Sequence, residues 1–306
     1  MGPQLEVHLH TNRTCNLHCK HCYNDSGNGS QDVLPRELVM EIITAFCDRY
    51  DVEFHLEGGE IFMYPELLER MNALSDSVLQ CITITTNGTF RLEHPNALSM
   101  LTRIGALRIS VEGHTDSQQQ AVRGIGLASV LDTAAYYQRL GVPVVWRVTL
   151  HSANYDRFVE ETIPGLTAHG CRAIQVYEFQ QVGRGLSGGW LALGESIGAL
   201  LTALETRGAF SDVDVRMMFP RKRTPEILAH QEALNRKGFC VQTIAPERSI
   251  SIHADGGVYR CPWDNDKNRC MFNIKELDLE RALEQLEREN LMHTCEHCSA
   301  IRIVCG

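Results

Sequence analysis

The chain has 306 residues, 43% of them hydrophobic, enough for one large core with a smaller unit appended. A formal charge of −9 argues against nucleic acid or an anionic membrane as partner and suits a small cationic substrate. No apolar run is long enough for a membrane span, and the opening MGPQLEVHLH lacks the charged start and apolar stretch of a signal peptide, so a cytoplasmic protein is expected.

Taken in chain order, six short apolar runs read as buried strands: LEVHLH (5–10), VEFHLE (52–57), CITITT (81–86), ALRISVE (106–112), VPVVWRVTL (142–150) and AIQVYEF (173–179). Helical patterns separate them. PRELVMEIITAFCDRY opens with Pro35 at the first helical position, and PELLERMNALSD, HPNALSMLTRIG, GLASVLDTAAYYQRLG and NYDRFVEETIPGLTAHG follow the same logic. Strands alternating with helices imply right-handed βαβ units and a parallel sheet, and six units suit a partial barrel better than a closed one of eight. LALGESIGALLTALETRG closes this half near residue 208. From 209 the pattern changes. VDVRMMF is a candidate seventh strand, and RSISIHADGGVYRCP is a hairpin with Asp255-Gly256-Gly257 as its turn. LDLERALEQLEREN is an amphipathic helix. The expected fold is thus α/β, a partial (β/α)6 barrel over 1–208 and a small cysteine-bearing domain over 209–306.

Twelve cysteines in a reducing compartment point to metal ligation or catalysis rather than disulfides. Cys47, Cys81 and Cys171 stand alone among apolar neighbours and read as core residues. Cys15, Cys19 and Cys22 instead share one loop just after the first strand, spaced C-x3-C-x2-C. Zinc would need a fourth ligand, which His18 or His21 offers, and would make the chain a zinc-binding interaction module. An iron–sulfur cluster on three cysteines would leave one iron open for a ligand.

This motif after the first strand of a barrel resembles the radical S-adenosylmethionine (SAM) superfamily. The resemblance implies a [4Fe–4S] cluster on Cys15, Cys19 and Cys22, with SAM on the open iron. It also implies one-electron cleavage of SAM to a 5′-deoxyadenosyl radical, hydrogen-atom abstraction from substrate, and an electron donor such as flavodoxin or ferredoxin. Further stretches match. Gly58, Gly59 and Glu60 resemble the Gly-Gly-Glu at the end of strand two, whose carboxylate would receive the SAM ammonium. Asn87, Ser110 and Glu112 end strands three and four and are expected near the ribose or methionine part of SAM. Relatives often carry Asp where this chain has Glu112. Arg123, in an Arg-Gly after strand four, would meet the SAM carboxylate, and VGRG (182–185) after strand six would face the adenosine. His21 stands where an aromatic residue often packs near adenine.

The second cysteine group resembles the auxiliary-cluster domain of the SPASM/Twitch subfamily, which implies one further [4Fe–4S] cluster on Cys240, Cys261, Cys295 and Cys298. A zinc ribbon is the rival for these four. Cys270 and Cys305 are left over, and either is a candidate thiol donor of a hydrogen atom to a substrate radical, Cys305 also a candidate cluster ligand. Asp264 and Asp266, beside Trp263, are candidate partners for substrate ammonium groups. The plan is similar to aminoglycoside-type radical epimerases and dehydrogenases. Epimerisation of an amino sugar is therefore the first expectation, dehydrogenation of an aminocyclitol or modification of a ribosomally made peptide the alternatives.

Overall fold

The computed structural model describes residues 4–27, 29–187, 196–244, 248–264, 266–289 and 299–305. Among these, seven parallel strands run in chain order across one sheet: β1 (Gln4–His10), β2 (Asp51–Glu57), β3 (Ile82–Thr86), β4 (Ala106–Val111), β5 (Val144–Leu150), β6 (Ala173–Glu178) and β7 (Asp214–Pro220). β7 continues the parallel series past residue 208. The remaining strands are β8 (Cys240–Thr243), β9 (Arg248–Ile252), β10 (Gly257–Tyr259), β11 (Phe272–Asn273) and β12 (Ser299–Cys305). They extend both edges, giving the order β11-β10-β9-β1 through β7-β12-β8. β9 lies parallel to β1 and forms the expected hairpin with β10, whose turn places Gly256 at φ +94°, where only glycine is unstrained.

Strand alternation sorts the side chains. On β1, Leu5, Val7 and Leu9 are buried in the apolar core, and Glu6 and His8 face an internal cavity. The first helix, Arg36–Arg49, buries Val39, Ile42, Ile43 and Phe46 at helical spacing, each worth about 1.5–3 kcal/mol. Pro35 sits at its N-cap, one residue earlier than expected. Two helices differ from the sequence reading for local reasons. The 65–76 stretch splits into Pro65–Met71 and Asp76–Gln80, because the Ser75 hydroxyl accepts from Val78 N and starts a new helix. The 154–170 stretch becomes a π turn, Phe158–Thr162, followed by the helix Ile163–Ala168. Pro164 has no N–H for a continuous ladder and fits only in the first turn.

Candidate functional site

The loop after β1 is folded back on itself and pinned from outside. Cys15 N donates to Gly27 O and Gly27 N to Arg13 O. The Arg184 guanidinium, from the VGRG segment, donates to Cys19 O at 3.0 Å, Ser26 O at 2.7 Å and Asp25 Oδ1 at 2.9 Å. Gly183 lets this segment approach: a Cβ there would lie 2.3 Å from Tyr23 O. VGRG therefore braces the thiol loop. Cys15, Cys19 and Cys22 border one cavity of about 110 Å³, and each sulfur has an N–H donor. Leu17 N donates to Cys15 Sγ at 3.4 Å and Ser26 N to Cys22 Sγ at 3.4 Å, with Arg123 Nη1 3.9 Å from Cys19 Sγ. Burial pushes the Cys15 thiol up to about 11 and raises that of Cys19, so a metal must drive their deprotonation. Three converging thiols with N–H donors to sulfur fit the cluster that the motif implies.

The end of β2 supplies the next wall. Gly58 and Gly59 border the cavity, and a Cβ on Gly59 would fall 2.1 Å from Thr14 O. Gly59→Ala is thus expected to displace the thiol-loop backbone and lower the iron retained per chain after reconstitution, which an iron assay beside the parent protein checks. Glu60 differs from the expectation. Its side chain is fully buried and accepts from Phe62 N, Thr86 Oγ1 and Asn87 N, tying the strand-two turn to the end of β3. Burial raises its carboxyl above the usual range against these three donors. Both oxygens serve this brace, so in this structure Glu60 holds the cavity wall and does not border the cavity. Asn87 does border it, with its Nδ2 2.8 Å from Asn16 Oδ1 and 3.8 Å from Cys15 Sγ.

Ser110 on β4 and Arg123 also border the cavity. Arg123 ends the helix Asp116–Arg123, which starts at a Thr115/Gln118 capping box and stops at Gly124, φ +74°. Its Nε meets Glu112 Oε1 at 2.7 Å. Glu112 is buried behind the cavity rather than on it, where His21 Nε2 lies 2.7 Å from Oε1 and His151 Nε2 3.6 Å from Oε2. Burial acts to raise the Glu112 carboxyl, but His21 and Arg123 outweigh it and hold the group well below the usual range. Burial lowers His21 and Glu112 raises Arg123 against burial, so Arg123 is the standing cation of the pair and His21 donates Nε2–H to the same carboxylate. The carboxylate that the resemblance places near SAM instead pairs with the arginine that borders the cavity and accepts from His21.

Below this pocket the parallel strands enclose a lumen of about 690 Å³. Its floor brings metal-type donors of Glu6, His8 and His55 within 4.8 Å of one another. Arg108 Nη1 donates to His55 Nδ1 at 2.8 Å, so neutral His55 carries its proton on Nε2, which faces Glu6 Oε1 at 2.7 Å. Arg108, His55 and Glu6 thus stand in a row, and His8 Nε2 lies 3.6 Å from the same Glu6 oxygen. At the top, Glu57 takes the Tyr23 hydroxyl and lies 3.4 Å from Arg147 Nη1. Burial opposes ionisation of Glu57, but Arg147, His8 and His10 drive its carboxyl far below the usual range. Tyr23, Glu57, Arg147 and Tyr177 were not picked out from sequence.

The C-terminal expectations divide. Trp263 borders both cavities and meets the Tyr23 ring at 5.0 Å. Asp264 and Asp266 border neither. Asp264 accepts from Asp266 N, and the half-exposed Asp266 accepts from Asn268 N at the cap of a short turn. Cys305 is a correction: it is buried in the apolar core, with Phe210 N 3.4 Å from its sulfur. On β12, Arg302 borders the lumen, so by alternation Cys305 points to the opposite face. Cys270 donates to Phe272 O at 3.1 Å and borders neither cavity. Cys81, expected in the core, borders the lumen just before the start of β3. Cys240 is exposed at the start of the edge strand β8, and Cys261 is buried two residues past β10, near the other edge of the sheet order. Cys295 and Cys298 lie outside the described residues.

A parallel partial barrel with its ligand-type residues at the carboxyl ends of the strands is the arrangement of an enzyme that builds its site from βα loops. Residues 9–162, half of the chain, match the family model described as Radical SAM superfamily, and the chain belongs to that family. It is 24% identical over 183 residues to the sporulation killing factor maturation protein SkfB of Bacillus subtilis, covering 59% of this chain and 44% of that protein. A probable GTP 3′,8-cyclase of Methanothermobacter thermautotrophicus is 26% identical over 97 residues, 32% of each chain. The chain thus spans less than half the length of these two proteins. Among solved structures, Streptococcus suis SuiB bound to the precursor peptide SuiA has the same fold, with a TM-score of 0.69 at 14% identity over 92% of this chain and 65% of that one. The structure of anSMEcpe with bound AdoMet and Cp18Cys peptide has a TM-score of 0.59 at 16% identity, covering 94% and 81%.

Proposed function

We propose that this radical SAM enzyme modifies a peptide, beginning with removal of a hydrogen atom from a peptide C–H group held in the lumen. The observation that carries this reading is the charge balance of the lumen wall, which bears five arginines and five carboxylates. A polycationic amino sugar calls for an excess of carboxylates, whereas a peptide presents mostly neutral amides that a balanced polar wall can meet. The carboxylates first assigned to an amino sugar, Asp264 and Asp266, and the spare thiols Cys270 and Cys305 all lie off the lumen wall. The similar proteins add support of their own: SuiB and anSMEcpe were solved with peptides, and SkfB is described as a maturation protein.

Cys15, Cys19 and Cys22 would hold a [4Fe–4S] cluster, which when bound would supply the electron for SAM cleavage. The chain's own residues do the rest. Gly58 and Gly59 admit the ligand closely, Asn87, Ser110 and Arg123 offer hydrogen bonds to its polar groups, and the buried walls exclude water. An auxiliary cluster on Cys240, Cys261, Cys295 and Cys298 belongs to the same proposal, supported by their spacing. Iron analysis of the reconstituted protein is expected to give about eight irons per chain with both clusters and about four with one.

The test of substrate class is anaerobic turnover with SAM and a chemical reductant in deuterated water. A panel of candidate precursor peptides and a panel of aminoglycosides would be offered separately. Peptide-dependent 5′-deoxyadenosine with a peptide mass change is expected. Turnover of an aminoglycoside alone, with one deuterium gained or two hydrogens lost, would restore the amino-sugar epimerase or dehydrogenase reading.

A further inference from the structure

The SAM-side cavity and the lumen meet at a wall of five side chains, Tyr23, Glu57, Arg147, Tyr177 and Trp263, which border both. Four of them belong to the barrel. Tyr23 follows Cys22 on the thiol loop, Glu57 ends β2, and Arg147 and Tyr177 lie on β5 and β6. They interlock: Tyr23 and Arg147 both reach the Glu57 carboxylate, and the Arg147 guanidinium lies over the Tyr177 ring at 5.0 Å. Trp263 comes from elsewhere in the chain. It arrives from the segment after β10 and meets Tyr23 edge-on, with ring centroids 5.0 Å apart and planes at 71°. Pro262, which also borders the lumen, restricts the backbone just before it. The junction therefore has a fixed charged side, Glu57 with Arg147, and a flat apolar side, the indole.

We propose that Trp263 is a substrate-positioning residue. Its indole is the wall against which the reacting segment of a peptide lies where the lumen opens on the SAM cavity, with Arg147 beside it to receive a peptide carbonyl. This rests on the peptide reading for the class of substrate, not for the role of the indole. An aromatic face adds contact area at low cost in side-chain entropy and keeps water from the reacting carbon. Hydrogen transfer needs the reacting atoms in contact, so a substrate left loose would let SAM be cleaved without product.

The experiment compares 5′-deoxyadenosine and modified substrate in the full-length, cluster-loaded enzyme and in Trp263→Ala and Trp263→Phe. The ratio of product to 5′-deoxyadenosine is expected to fall about 10- to 100-fold in Trp263→Ala, with iron per chain and cluster absorption unchanged, and to return mostly in Trp263→Phe. Should the alanine variant lose iron, Trp263→Leu, which keeps most of the volume without the flat ring, replaces it. An unchanged ratio in the ringless variant overturns the positioning role. If the parent enzyme turns over an aminoglycoside and no peptide, the peptide reading fails, and the same ratio measured on the sugar still decides whether Trp263 positions it.

Discussion

Replacing any one of Cys15, Cys19 and Cys22 by serine is expected to remove SAM cleavage, lowering 5′-deoxyadenosine formation by more than about 100-fold. The three thiols share one loop, one cavity and a matched set of N–H donors, so none has a substitute among the cysteines that border that cavity. Outer partners of a metal site typically cost 10- to 100-fold when removed, and a direct ligand costs more. Serine keeps the size of the side chain but not the thiolate that holds iron. The loop itself is held by Arg184 and by backbone hydrogen bonds, so the variants are expected to stay folded, with an unchanged far-ultraviolet circular dichroism spectrum and reduced iron. Cys305→Ser, by contrast, is expected to leave SAM cleavage near the parent level, because its sulfur lies in the apolar core beside Phe210.

Glu112→Ala is expected to cost about 3–5 kcal/mol of folding stability, measured by denaturant unfolding of the cluster-free protein. The carboxylate is buried, and its removal leaves Arg123 without its anion and His21 without its acceptor. The loss has a pH signature. The folded carboxyl lies well below its ordinary value of 4.5, so its stabilisation is fully present above about pH 4.5 and fades as pH falls through the folded value. Parent and Glu112→Ala should therefore differ most in stability near neutral pH and converge as the medium becomes strongly acidic. The variant should also bind SAM more weakly, since Arg123 borders the thiol-lined cavity proposed to hold SAM and Glu112 fixes its direction.

The six barrel strands and the thiol loop were legible because each rests on a local signal: apolar runs bounded by turn residues, and thiols at fixed spacing. The seventh strand's place beside β6, and β9's place beside β1, depend on pairing between distant segments, which no local pattern reveals. Glu60 shows a different limit. The sequence shows a carboxylate just past a strand, but whether it points at a ligand or at neighbouring backbone N–H groups is a matter of rotamer and packing. For Cys305 the missing fact was strand phase, since one step along β12 exchanges the lumen face for the core face. Glu57 and Arg147 did leave a signal. LEVHLH and VEFHLE carry charged or histidine residues at alternate positions, and VVWRVTL sets Arg147 and Thr149 two apart, unlike a strand buried by apolar layers on both faces. That alternation marks a polar lumen, whereas the apolar content of the same runs alone suggests strands buried on both faces.

The most direct test of the central claim is electron paramagnetic resonance of the anaerobically reconstituted, chemically reduced protein, recorded with and without SAM. A reduced [4Fe–4S] signal that shifts on adding SAM, and a SAM-responsive component that disappears in Cys19→Ser, is the predicted result. Protein that retains zinc instead of iron, or a cluster signal indifferent to SAM in the parent chain, would contradict it.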